Sequence, residues 1–594
     1  MDWPHQTIAS LQWLAIAFVI SLAGLAVIFL LLGRHTVWGR QFVRLTWTYF
    51  DPKQSKLQLA WLALLVLITL ASVRLNVLFS IWQNGFYTSL QDLDSKTFWF
   101  LIVVFIVLAT IHVARSLMDA YLTQAYQIRW RTWLTHKLID RWLAHQAYYR
   151  SRYVQEVADN PDQRIQQDVE NFVQLSLSFS MGLLSAVVSL YAFTIILWNL
   201  SGPLSLFGAE LPRAMVFLVY LYVIIATVFA VWIGRPLIAL NFLNEKLSAT
   251  YRYALVRLRE FGEGIAFYRG ESVERTNLLG RFGSIIDNMW RIVFRSLKFQ
   301  GFNLSVSQAA VVFPFIVQAQ RFFSKQITLG DMMQTSEAFG QVQSSLSFIR
   351  TSYDDFAKYR AMLTRLCGFL EAMDAAERLP AAHLESDPTL LRLASLSVRS
   401  PSNEILVADL DLALQPRSAL LIRGYSGVGK TTLLRSIAGL WPYVDGTVAR
   451  PTGGDALFLP QKPYLPLGTL RTALFYPNTA QETGAAEILH RCQLSHLIPR
   501  MDDEDDWSNV LSLGEQQRLA IGRALLARPK VIFLDEASAA MDEGLEHAMY
   551  QLLRESLPDA ILVSVGHRSS LAAFHTHALD LLGGGKWRLE PLTK

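Results

Sequence analysis

Cysteine is nearly missing from this 594-residue chain: Cys367 and Cys492 are the only two, far apart in sequence. Both fall in segments assigned to the cytosol below, so a disulfide framework is excluded. Charge is scarce as well, at 17% of residues, and the net charge is +5. The placement of that charge speaks for membrane topology rather than for nucleic-acid binding. Lys and Arg are absent from the first ten residues, "MDWPHQTIAS", and no small-residue cleavage site follows the apolar run behind them. A cleaved signal peptide is therefore not expected, and "LQWLAIAFVISLAGLAVIFLLLG" reads as a retained helix.

What is abundant is apolar sequence, 52% of the chain, unevenly spread. Before about residue 330 there are long apolar runs; after about 375 the chain reads as α/β protein. A bilayer span needs ~20 apolar residues. Windows near 11–32, 58–82, 97–118, 174–199, 214–234 and 300–323 satisfy that. A seventh span is expected at "GDMMQTSEAFGQVQSSLSFIRTSYDDF", residues 330–356, although it is polar. Gln334, Glu337, Gln341 and Ser345 recur at three-to-four spacing, and the next position on that face is Phe348. A polar stripe at membrane depth must meet protein or water, so these four are candidate cavity residues. His112, Arg115 and Asp119 add charge along the third span, with Arg115 and Asp119 spaced for an i,i+4 pair.

Lys and Arg in short loops orient the spans. Arg34, Arg40 and Arg44 mark one inside loop; Arg129, Arg131, Lys137 and Arg141 mark another. The N-terminus and the loops near 83–97 and 199–214 are then outside. Seven spans return the chain to the inside, where the α/β half begins. Two inside segments, about 119–173 and 235–299, are expected to be helices running well past the bilayer, since ~40 residues make ~60 Å at ~1.5 Å per residue.

The second half carries phosphate chemistry. "GYSGVGKT" follows the apolar "SALLIRG" and opens a helical run. This strand–loop–helix context suits a phosphate cradle of Gly424, Tyr425, Ser426, Gly427, Val428, Gly429, Lys430, Thr431 and Thr432. Lys430 is expected on the β/γ-phosphates and Thr431 on Mg²⁺. "KVIFLDEAS" is an apolar strand ending in two acids; Asp535 suits a Mg²⁺-linked carboxylate and Glu536 a general base. Gln461 and His567 each follow a further apolar run. "LSLGEQQR", residues 511–518, looks like half of another phosphate site: Ser512 and Gly514 stand at a helix start, but no Lys or Thr follows.

These motifs, in this order over about 385–590, resemble the ATP-binding cassette of ABC transporters. The resemblance implies an α-helical membrane domain of exporter type with an extra N-terminal helix, joined to an α/β P-loop cassette. Its expected boundaries are 1–50 for the extra helix and elbow, 51–375 for the six-helix membrane domain and 385–594 for the cassette. It further implies that Ser512, Gly514 and Glu515 complete the ATP site of a second cassette. The protein is then a homodimer with two ATPs at its interface and "SAAMD", 538–542, at the same place. Gln461 and His567 become catalytic partners of Glu536, with Gln461 also toward Mg²⁺. Two departures stand out: Leu513 replaces a usual glycine, and "LSVRSPSNEIL" offers Arg399 or Ser400 where an adenine-stacking aromatic is usual.

"NPDQRIQQDVENF" (160–172) and "EGIAFYRGESVE" (263–274) resemble the branch containing peroxisomal acyl-CoA half-transporters and bacterial relatives. Those bacterial relatives are linked to uptake of cobalamin, bleomycin and antimicrobial peptides. The resemblance implies a bacterial inner-membrane importer of bulky hydrophilic compounds. An exporter or flippase of lipid or acyl-CoA cargo, and a ligand-sensing ATPase without transport, are the alternatives.

Overall fold

A computed structural model describes residues 3–53, 55–154, 160–202, 204–206, 209–211, 213–481 and 483–592. Part of the expected outer loop at 199–214 thus lies outside the described residues. The chain divides into two compact units, Met1–Asp140 with Ala158–Leu370, and Arg141–Val157 with Glu371–Lys594.

The first unit is helical: α1 (Trp3–His35), α2 (Val37–Phe50), α3 (Lys56–Gln91), α4 (Ser95–Leu143), α5 (Val169–Leu200), α6 (Ala214–Glu260), α7 (Gly262–Tyr268), α8 (Glu271–Phe323), α9 (Leu329–Thr351) and the start of α10 (Tyr353–Glu377). Among the described residues six helices are long and apolar enough to cross a membrane, and each expected apolar window falls in one of them. Helix α9 is less apolar, but its 23 residues make roughly 35 Å, enough for a span. One side of it is core: Ala338, Phe339 and Val342 are buried with Val77, Phe193, Leu197, Val219 and Ala310. Its first turn lies so close to α3 that a Cβ at Gly330 would collide with the Asn84 carbonyl. A Thr328–Asp331 capping box starts it.

Two expectations need correction. The 119–173 segment is not one helix: α4 ends at Leu143, and His145 and Gln146 take left-handed φ of 49° and 57°, which stops the i to i−4 ladder. Short turns follow to Tyr153, residues 155–159 lie outside the described ones, and helix resumes at Pro161 with a π turn over Arg164–Asp168. The 235–299 segment is likewise interrupted, at Phe261 and at Arg269, whose φ of 51° ends α7.

The second unit is α/β. Its strands are β1 (His383–Ser386), β2 (Leu391–Arg399), β3 (Ile405–Leu414), β4 (Ala419–Arg423), β5 (Val444–Arg450), β6 (Ala456–Leu459), β7 (Val531–Asp535), β8 (Ile561–Val565), β9 (His577–Gly583) and β10 (Lys586–Pro591). The six-stranded sheet has the order β10-β9-β4-β8-β7-β6, parallel except for β10; a four-stranded sheet has the order β1-β5-β2-β3, and Gly468–Thr469 and Glu504–Asp505 form a small antiparallel pair. Strands β4, β7 and β8 are mostly apolar and buried along their length, apart from the half-buried Arg423 and Asp535 at the ends of β4 and β7, because both sheet faces are covered. The helices used below are α11 (Lys430–Ile437), α12 (Leu513–Ala527) and α13 (Glu543–Ser556). The segment from Arg141 belongs to this unit: Arg141 pairs with Asp374, and the Tyr153 ring meets Trp441 edge-on at 5.2 Å.

Candidate functional site

Parallel strands deliver their loops to one edge of the sheet, and ligands bind beyond their carboxyl ends. Strand β4 ends at Arg423 and α11 begins at Lys430. The loop between them turns through Gly424, Gly427 and Gly429, with φ of 147°, 83° and 112°, values that favour glycine. Val428 is buried and anchors the loop in the core, while Tyr425, Ser426 and Gly427 face outward. Lys430 donates to the carbonyls of Gly424 and Tyr425 at 2.9 and 3.1 Å, leaving one ammonium donor free of the loop. Burial lowers the Lys430 pKa, and the charges of Glu536 and Asp535 pull it back up. Thr431, beside Thr432 in the first turn of α11, donates its Oγ1 proton to Asp535 Oδ1 at 2.9 Å. Burial raises the Asp535 pKa against that hydrogen bond.

The next residue, Glu536, has a left-handed φ of 50°, an unfavourable geometry for a side-chain-bearing residue. The bend lets its two carboxylate oxygens face different loops: Gln461 Nε2 donates to Oε2 at 3.2 Å, and His567 Nε2 lies 3.5 Å from Oε1. The structure therefore brings together Lys430 and Thr431 with Asp535, and Gln461 and His567 with Glu536.

"LSLGEQQR" forms the start of α12. Ser512 is its N-cap, and a capping box joins it to Glu515. Gly514 lies under the Ala540 carbonyl, 3.1 Å from where a Cβ would stand. Among the described residues no hydrogen bond or ion pair joins Ser512, Gly514 or Glu515 to Lys430, Thr431 or Asp535. The half-site is not folded back onto the cradle of its own chain.

In the helical unit, the four stripe residues take different partners. Gln334 is buried and accepts from Asn84 Nδ2 at 2.8 Å; the same Asn84 amide donates to Asp331 at 2.9 Å. Gln341 donates to Glu337 at 2.9 Å, and Ser345 is half-buried. No ion pair to Glu337 occurs among the described residues. Arg115 and Asp119 do face each other, at 3.8 Å.

Comparison with known proteins places these observations. Residues 45–323 match the family model for ABC transporter transmembrane region 2, and residues 407–539 match the model for the ABC transporter cassette. An uncharacterized ABC transporter ATP-binding protein of Haemophilus influenzae is 48% identical over 99% of this chain and 100% of its own length. The chain belongs to the ABC transporter family. The inner membrane ABC transporter ATP-binding protein YddA of Escherichia coli is 32% identical, covering 87% of this chain and 92% of its own. The human lysosomal cobalamin transporter ABCD4 is 29% identical, covering 88% and 92%. The protein is thus a membrane-embedded ABC half-transporter whose cassette binds ATP and whose ATPase activity is coupled to transport.

Some contacts around the cassette site escape sequence reasoning. Gln517 is fully buried; its Nε2 donates to the Gln461 carbonyl at 2.8 Å and its Oε1 accepts from Ala540 N at 3.1 Å. It ties the Gln461 loop to the "SAAMD" turn. That turn is also held by Ser538 on Glu546 at 2.6 Å, and by Arg568, which reaches Glu546 at 3.3 Å and the Met541 carbonyl at 2.9 Å. Gln517 lies inside the quoted motif, and its burial is the signal that a string of letters lacks. At the other end, Ser400 Oγ accepts from Glu404 N at 3.1 Å within the 400–404 turn. The Arg399 carbonyl accepts from Trp441 Nε1 at 2.8 Å.

Proposed function

We propose that this half-transporter is a homodimer in a bacterial inner membrane, importing bulky hydrophilic compounds of the cobalamin or peptide type. The observation that carries the cargo reading is α9: a span-length helix with a core on one side and, away from that core, a Glu337–Gln341 pair that no cation among the described residues joins. An acid at membrane depth is costly unless it meets water, protein or cargo. The human relative, a lysosomal cobalamin transporter, supports the same class. The basic inside loops support a cassette in the cytoplasm and an N-terminus outside.

In this reading the cassettes pair head to tail. Lys430 and the loop amides of one chain hold the phosphates, and Ser512 with the Gly514 amide closes the site from the other. Thr431 Oγ1 and Asp535 Oδ1, 2.9 Å apart, are hard oxygen donors, and with Gln461 they fit Mg²⁺ alongside substrate phosphates. Mg²⁺ held there would neutralise phosphate charge. Glu536 takes the proton of the attacking water, oriented by Gln461 and His567.

The test is accumulation of labelled cobalamin and of a labelled peptide in cells with and without the protein, with Glu536→Gln as the control. That variant should bind ATP, hydrolyse it at least ~10²-fold more slowly as a lost general base predicts, and accumulate neither compound. Equal accumulation with and without the protein for both compounds would remove the hydrophilic-importer reading, and near-normal turnover in the variant would remove Glu536 from its role. Transport of acyl-CoA into sealed vesicles instead would establish the lipid-type alternative.

A further inference from the structure

The signature serine does not stand alone at the head of α12. Its Oγ donates to Glu515 Oε2 at 2.8 Å, and its backbone N–H donates to the same oxygen at 2.9 Å. The other oxygen of that carboxylate, Oε1, lies 2.9 Å from His496 Nε2, in the turn Ser495–Arg500. His496 is more than half exposed, and Glu515 is about one-fifth exposed. Burial pushes the Glu515 pKa up, but the bonds from Ser512 and His496 outweigh it and leave the carboxyl below its ordinary value. Glu515 is therefore an anion fixed from both sides.

This arrangement has a consequence for the paired cassettes. A serine hydroxyl has one hydrogen. While Ser512 gives it to Glu515, it cannot give it to a phosphate. When the hydroxyl turns to the γ-phosphate of the opposite chain, the carboxylate is left beside a polyanion, where like charges repel. A donor on the far oxygen draws charge away from the near one, and holds the carboxylate so that it does not follow the serine. Among the described residues no other charged group is bonded to Oε1.

We infer that His496 is a positioning residue for ATP hydrolysis, which clamps Glu515 and offsets its charge so that Ser512 can engage the nucleotide of the second cassette. The inference rests on the head-to-tail reading above. It concerns engagement of nucleotide rather than the proton transfer at Glu536, which His496 does not touch.

Steady-state ATPase of the full chain in lipid nanodiscs tests it. His496→Ala should raise the KM for ATP about 3- to 10-fold with kcat within about 2-fold, the size expected for one net hydrogen bond. His496→Gln, whose amide N–H can reach Oε1, should restore most of the loss. The deciding measurement is the pair His496→Ala and Glu515→Gln. If His496 works by offsetting Glu515, removing it in the Glu515→Gln background should add no further KM penalty. A penalty of the same size in both backgrounds, a fall in kcat with KM unchanged, or no effect of His496→Ala overturns the inference. Ser512→Arg in the same assay separates the two ideas: full activity there would defeat the head-to-tail reading itself, whereas loss there with a neutral His496→Ala defeats only the role of His496.

Discussion

The head of α12 and the middle of α9 each present polar side chains at helical spacing, yet the two stretches behave differently. At α12 the residues that share a motif also share partners: Ser512 and Glu515 bond each other, and Gln517 reaches the Gln461 loop and the "SAAMD" turn. On α9 the four residues of one expected face are divided, Gln334 turning to Asn84 of α3 while Glu337 and Gln341 hold each other. A motif at strand or helix ends works through backbone groups and neighbours a few residues away, so spacing alone almost defines it. A face in mid-helix depends on which helices stand beside it, and that is a property of the whole bundle.

The largest effect should come from the α12 side. Ser512→Arg puts a long cation where the opposite nucleotide is proposed to dock, and should abolish hydrolysis while ATP binding to the same chain's Lys430 loop persists. Mixed with Lys430→Ala chains, it should recover at most one working site per dimer. Nucleotide binding and ATPase on reconstituted mixtures check both parts. Full activity in the single variant would mean that the half-site and the cradle act within one chain, and the contrast drawn above would lose its basis.

The order of the cassette motifs was legible in the sequence, and the resemblance they carry implied Gln461 and His567 as partners of Glu536. The Thr431–Asp535 bond and the meeting of Gln461 and His567 on Glu536 follow from strand ends that must lie side by side in a parallel sheet. The apolar spans were legible too, because length and composition decide them. The left-handed residues His145 and Gln146 were not: neither is glycine, and nothing in "WLAHQAYY" marks a break. Nor was the clamp on Glu515, because His496 lies in a different segment and only the fold brings it to 2.9 Å.

A smaller effect should appear with pH in the cassette. His575 is fully buried; Nδ1 faces the Leu571 carbonyl at 2.7 Å and Nε2 faces Ser564 Oγ at 2.9 Å. Burial pushes its pKa down from 6.5 to about 4, against the raising effect of the Leu571 carbonyl. The unfolded chain takes up that proton near pH 6.5 and the folded chain does not until about pH 4. The contribution is thus complete above 6.5 and is lost progressively as pH falls toward 4. Between pH 7 and 5 the cassette should lose about 2 kcal/mol, read as a lowered apparent Tm of its transition in the full chain. His575→Asn keeps a donor for Leu571 and should flatten that slope. An unchanged slope would assign the pH dependence to other groups.

The finest test bears on α9, where the comparison is most exposed to failure. Glu337 and Gln341 bond each other and, among the described residues, no cation, while Gln334 is buried against α3. If the pair faces cargo, changing both to Leu should leave basal ATPase in place, because it removes nothing from the cassette. Stimulation by cobalamin or peptide, and uptake with it, should fall about tenfold, the effect of losing roughly 1.5 kcal/mol of hydrogen bonding to a charged group. An acyl-CoA carrier predicts the opposite, since a more apolar face would leave lipid-stimulated turnover intact or raise it. The division of the stripe sharpens this further. Gln334→Leu should act through the Asn84 contact and reduce stability of the helical unit, with cargo stimulation per folded molecule retained. A cysteine scan of 333–348 with a water-soluble thiol reagent, run after Cys367 and Cys492 are replaced, supplies the geometry. Labelling should be strong at 337 and 341 and weak at 334, 338 and 342, the last two being core positions. Uniform protection would mean that no water reaches this side of α9, and the preference for a hydrophilic cargo would go with it.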